Sequence, residues 1–167
     1  MADLDSTTIY GNLDVTNDIN ASGNITGAKV FNAVFNDYAE CFETKVHFND
    51  CKNRIVEIKN NKVYISSPES EAVVGIVSDS YGFVLYGIEE EIQNGEKVPI
   101  GMAGTLMVDS EDIVDEKNIN RFICSGNEGK SRVIPKGEAY KYEGKIVGKI
   151  IGTNYEKNQY KIIICLG

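Results

Sequence analysis

The chain has 167 residues, enough for one domain with a proper core and too few for a second full one. Its 17 basic and 25 acidic side chains leave a net charge of −8, which disfavours attraction to nucleic acid or to anionic lipid. No run of about 18 apolar residues is present to span a bilayer. Met1-Ala2-Asp3-Leu4-Asp5 lacks the basic start and apolar middle of a signal peptide, so folding in a cytoplasm is expected.

Residues 1–35 differ from the rest: Asn, Asp, Thr, Ser and Gly set off isolated apolar residues. The hexads 13–18, 19–24 and 25–30 each open on a branched apolar residue, Leu13, Ile19 and Ile25, and the first two carry a smaller apolar residue, Val15 and Ala21, third. Such a segment buries too little surface to offset an ordering cost of about 1–2 kcal/mol per residue. Three copies wound about one axis would supply the missing neighbours and bring Leu13, Ile19 and Ile25 into a shared seam. The competing reading is a disordered leader or the cap of a single-chain β-solenoid.

Between residues 29 and 43 the apolar positions Val30, Phe31, Val34, Phe35, Tyr38, Ala39 and Phe42 include spacings of three and four, predicting a short helix or a bent strand. From Arg54 onward the signal is β. Ile55, Val56 and Ile58, then Val63, Tyr64 and Ile65, flank the polar pair Asn60-Asn61 as a hairpin would. Further strands are predicted at 72–77, 82–86, 96–100, 104–108, 121–124, 132–134, 145–152 and 160–166. Residues 109–120, with Asp109, Glu111, Asp112, Asp115 and Glu116, form an acidic loop with at most one helical turn; they lack the glycine and spacing of an EF-hand. The fold expected is mainly β: a short trimeric β-helical or intertwined stem over 1–35, then an antiparallel barrel or sandwich over 36–167 with little helix.

The four cysteines, Cys41, Cys51, Cys124 and Cys165, form no Cys-x-x-Cys pair, so buried free thiols are expected, with a Cys124–Cys165 disulfide the alternative. His47 is the single histidine. Residues 126–131 (Gly-Asn-Glu-Gly-Lys-Ser) miss the phosphate-loop spacing, because Cys124 and not glycine stands five before Gly129; a hairpin turn is the reading. Ser66, Ser67, Ser78 and Ser80 have no base partner that the sequence can place. No cofactor and no metal site is expected.

Asn36-Asp37-Tyr38-Ala39-Glu40, followed by Phe42-Glu43, resembles the Asp-Tyr-Ala-Glu motif of the C-terminal autoprocessing, intramolecular-chaperone domain of phage neck appendages, tail fibres and tailspikes. Gly75-Ile76-Val77, Val98-Pro99-Ile100-Gly101 and Gly144-Lys145-Ile146-Val147-Gly148-Lys149 follow in the order of that family's later strands, so the resemblance spans residues 36–167. It implies a homotrimer in the virion tail, in contact with other tail or baseplate proteins, whose C-terminal domain brings three chains into register. Repeats of one polar-apolar pattern pair in slipped registers at nearly equal energy, so registration must come from a globular unit that trimerises first.

The resemblance also implies a self-cut at Asn36–Asp37, with the carboxylates of Asp37 and Glu40 acting on the bond. On a helical turn the two would share a face, and mutual repulsion would leave an acid beside a base. The competing reading is a helix cap, with each side chain taking a free backbone N–H. Self-cutting members carry serine before the aspartate; Asn36 has only an amide to attack its own carbonyl, a slow route. No enzyme acting on external substrates is expected. The alternative function is a receptor-binding tip for a host cell-surface glycan, with Tyr81, Tyr86, Tyr140 and Tyr142 as stacking surfaces.

Overall fold

The computed structural model describes residues 8–16, 19, 22 and 37–167. By backbone contacts the chain divides into two units, Met1–Val30 and Phe31–Gly167. Most of the expected stem, including Ile25, lies outside the described residues. In the first unit Leu13 and Ile19 are described and exposed.

The larger unit is the expected mainly β fold with little helix. Its strands are β1 (Asp37–Glu43), β2 (Ile55–Lys59), β3 (Lys62–Ile65), β4 (Val73–Val77), β5 (Tyr81–Leu85), β6 (Lys97–Asp109), β7 (Phe122–Ser125), β8 (Ser131–Val133), β9 (Gly148–Asn154) and β10 (Gln159–Ile164). Two short helices, α1 (Phe48–Cys51) and α2 (Glu89–Gln93), fall in connections where no helix was predicted. His47 caps α1, its ring Nδ1 accepting from Asn49 N–H at 3.4 Å. The sheet order is β3-β2-β4-β6-β10-β9-β7-β8, with β1 against β6 and β5 parallel to β1.

Strand β6 holds the unit together, and it departs from expectation. Residues 96–100 and 104–108 are parts of one 13-residue strand, because Gly101 and Gly104 let the backbone turn without leaving its ladders. Gly104 sits at φ +107, which a side chain disfavours. The first half of β6 pairs with β1 and β4, the second half with β10. Single bridges, Thr44 to Val63 and Ser110 to Ser131, bring the outer strands β3 and β8 back toward β1 and β6.

The core has two apolar clusters. One gathers Ile55, Ile76, Leu106, Val108, Ile123, Ile150, Tyr160 and Ile162; the other gathers Cys51, Val56, Val63, Val77, Val98 and Ile100. Consecutive residues on a strand face opposite ways. Ile55 and Val56 on β2, and Ile76 and Val77 on β4, therefore serve one cluster each, so both strands carry apolar residues on both faces. The predicted hairpin is present between β2 and β3, with Asn60 and Asn61 at φ 52 and 59, the two left-handed positions of a tight hairpin turn. Residues 126–131 are likewise the turn between β7 and β8, with Glu128 at φ 53 and Gly129 at φ 67. All four thiols are free; Cys41, Cys51 and Cys124 are buried and Cys165 is half-buried.

Candidate functional site

β1 opens on Asp37, opposite Tyr81 of β5 on one side and Gly104 of β6 on the other. Asp37, Ala39 and Cys41 face inward while Tyr38, Glu40 and Phe42 form the other face. This corrects the helical reading of the motif. Residues three apart on a strand point to opposite sides, so the carboxylates of Asp37 and Glu40 do not share a face and neither caps a helix. Spacings of three and four across Phe35, Tyr38, Ala39 and Phe42 suggested a helix because both faces of β1 carry apolar residues. Asn36 lies outside the described residues.

Asp37 is fully buried. Its Oδ1 accepts the Ser78 hydroxyl at 2.8 Å, and its Oδ2 has no hydrogen-bond partner among the described residues. Space for Oδ2 exists because residue 101 is glycine: a Cβ built there would stand 3.2 Å from Oδ2 and would collide with Leu106. Burial raises the Asp37 pKa above 3.8, the Ser78 and Ser80 hydroxyls oppose this, and the charge of Asp79 adds to the rise. Ser78 itself is fully buried and its Oγ also accepts from Ser80 N–H at 3.2 Å. Asp79 is held by Asn53, whose Nδ2 donates to Asp79 Oδ2 at 2.9 Å.

The structure thus gives Ser78 the carboxyl partner that the sequence could not place. The two residues are 41 apart in the chain, and only the arrival of β4 beside β6, with β1 on β6, brings them together. A buried carboxyl with a raised pKa and a hydroxyl partner is a group able to take part in proton transfer.

The other sequence candidates have contacts of their own within the fold. In the acidic segment, Asp109 pairs with Arg54 at 2.9 Å and Glu111 with Arg132 at 3.1 Å. Residues 114–118 are pinned from beneath by Tyr160, whose buried hydroxyl accepts from Asp115 N–H at 3.1 Å and from Asn118 Nδ2 at 2.8 Å. Tyr86 and Tyr140 are exposed but lie on separate segments, each with a lysine over its ring, Lys97 at 4.8 Å and Lys141 at 5.9 Å from the centroid. Tyr81 donates to Glu89 Oε2 at 2.9 Å.

No family model matches the chain, and no curated protein matches it by sequence. Solved structures match by fold. The pre-mature gene product 12 of bacteriophage phi29 matches at a TM-score of 0.58 and 15% identity, over 87% of this chain and 24% of that one. A C-terminal fragment of the same phi29 protein matches at a TM-score of 0.51 and 16% identity, over 78% of this chain and 100% of the fragment. The chain therefore spans about a quarter of the longer protein and shares the fold of its C-terminal fragment.

Proposed function

We propose that this chain is the end of a phage tail fibre or appendage, in which residues 37–167 trimerise and set the register of the shaft formed by the residues before them. The observation that carries this is the match over the whole of the phi29 fragment, by a share of this chain as large as residues 37–167 make up. Exposure of Leu13 and Ile19, each about two-thirds accessible, adds support, since apolar residues at repeat positions call for a partner that a single chain does not provide. Three copies would supply it, and the unit would then work in the virion, against other tail proteins.

The same reading includes self-cutting at Asn36–Asp37. In the native chain the Asn36 side-chain nitrogen attacks its own carbonyl carbon, the carbon–nitrogen bond to Asp37 breaks, and the released proton passes to the Asp37 nitrogen. Water then opens the resulting succinimide. Asp37, biased toward its protonated form and hydrogen-bonded to Ser78, is the acid beside the leaving nitrogen.

Two measurements test the reading. Light scattering of the purified chain should give three times the chain mass, and a stable monomer at micromolar concentration would sink the registration role. Intact mass spectrometry of Asn36→Ser, which supplies a hydroxyl already held beside its carbonyl, should show cutting into 36 and 131 residues, suppressed by adding Asp37→Asn. An Asn36→Ser trimer that stays whole for days removes the self-cutting and leaves registration alone.

A further inference from the structure

One hollow of the larger unit differs from the others in the sign of its charge. A cavity of about 110 Å³ is lined by Arg132, Lys141 and Lys145 with Ser70, Ser125 and Tyr142, and its lining holds no carboxylate. Four other hollows all carry Asp or Glu. In a chain with 25 acidic and 17 basic residues, a lining with three cations and no carboxylate is the reverse of what composition alone supplies, with Glu111 and Glu138 pairing to two of them from outside it.

The cations are held in place from different elements. Arg132 lies on β8 opposite Cys124 of β7, and Glu111 fixes its guanidinium by bonds of 3.1 Å at Nε and 3.4 Å at Nη2. Lys141 pairs with Glu138 at 3.2 Å on the outer side, whereas Lys145 has no ion-pair partner among the described residues. Cys124 lines the same cavity as both cations; burial raises its pKa, and the charges of Arg132 and Lys145 pull it the other way. Ser70 Oγ accepts from Ser67 N–H at 2.8 Å and lies 3.4 Å from Ser67 Oγ, with which it shares a hydroxyl contact.

We propose that this cavity binds a phosphate-sized oxyanion, held by Arg132 and Lys145, with Lys141 at the mouth and the Ser70 and Tyr142 hydroxyls as neutral donors. Convergent cations with fixed donors are the chemistry that recognises a tetrahedral oxyanion. A cavity of about 110 Å³ is several times the roughly 10–15 Å³ that admits one water, so it has room for a tetrahedral oxyanion.

The full chain titrated with inorganic phosphate, at constant ionic strength set by chloride, tests this by calorimetry and by thermal melting. Phosphate should bind saturably and raise the melting temperature, and chloride should not. Lys145→Gln and Lys141→Gln should each weaken binding by about tenfold, while Lys161→Gln, an exposed lysine of β10, should leave it unchanged. Lys141 is half-exposed, so its variant decides the matter even if Lys145→Gln disturbs folding. A parallel titration with glycerol 3-phosphate separates the sources: equal binding assigns the site to a phosphate carried on a larger ligand, weaker binding to the free ion. A melting rise reproduced by chloride, or an affinity unmoved by both variants, overturns the proposal.

Discussion

Asp37→Asn isolates the energetics of the buried carboxyl. Below pH 3.8 the carboxyl is protonated in both folded and unfolded chains, and parent and variant differ by a hydroxyl against an amide. Burial sets the folded pKa above the unfolded one, so between the two values the folded protein keeps a proton that the unfolded chain has released. Stability therefore falls as pH rises through that window, and the loss is complete above the folded pKa. Each unit of separation corresponds to about 1.4 kcal/mol. Asparagine carries no charge and keeps a carbonyl for the Ser78 hydroxyl, so the variant should be more stable than its parent at pH 7. The gain comes from removing a buried charge alone, since the amide nitrogen takes the unpartnered place of Oδ2, and the difference should therefore fade toward pH 3.5. Urea unfolding at fixed protein concentration across pH 3.5–8 measures this, with an unchanged denaturant slope showing that the folded state is intact. A difference that is constant with pH, or a variant less stable than its parent at pH 7, would falsify the account of Asp37 as a strained buried acid.

Tyr160→Phe removes the acceptor of Asp115 N–H and Asn118 Nδ2 and should destabilise by about 1–3 kcal/mol, with hydrogen exchange accelerating first at Asp115. Gly75→Ala places a Cβ 2.7 Å from Ile100 Cγ2 at φ +151, and calorimetry should show a loss of about 1–3 kcal/mol from the β4–β6 junction. Asn61→Ala forces alanine into the left-handed turn at φ 59, for an expected loss of about 1–2 kcal/mol by urea unfolding; an unchanged midpoint would mean that the β2–β3 turn relaxes freely.

The β2–β3 hairpin was readable because its information is local: alternating Ile, Val and Tyr on either side of two asparagines that tolerate a left-handed backbone. Most later strands were readable for the same reason, β-branched runs punctuated by Gly and Asn. β1 was readable only as one of two alternatives, a short helix or a bent strand, because a strand with apolar residues on both faces loses its period of two. Gly101 and Gly104 read as a break, yet they let one long strand pass from one ladder set to the other, a choice made by the neighbours β1, β4 and β10 and not by β6 itself.

The sequence alone determined the class of fold, its acidic surface and the motif at residues 36–40. Its periodicities and charges act between near neighbours and survive without knowledge of long-range contacts. Tertiary structure alone decided that Asp37 and Glu40 face opposite ways, that Ser78 meets Asp37, and that Arg132, Lys141 and Lys145 share one cavity. Each depends on strand order and on the connections that order brings together, set by packing two apolar clusters at once, and a register shift of one residue would turn Asp37, Glu40 and Arg132 to the other face of their strands.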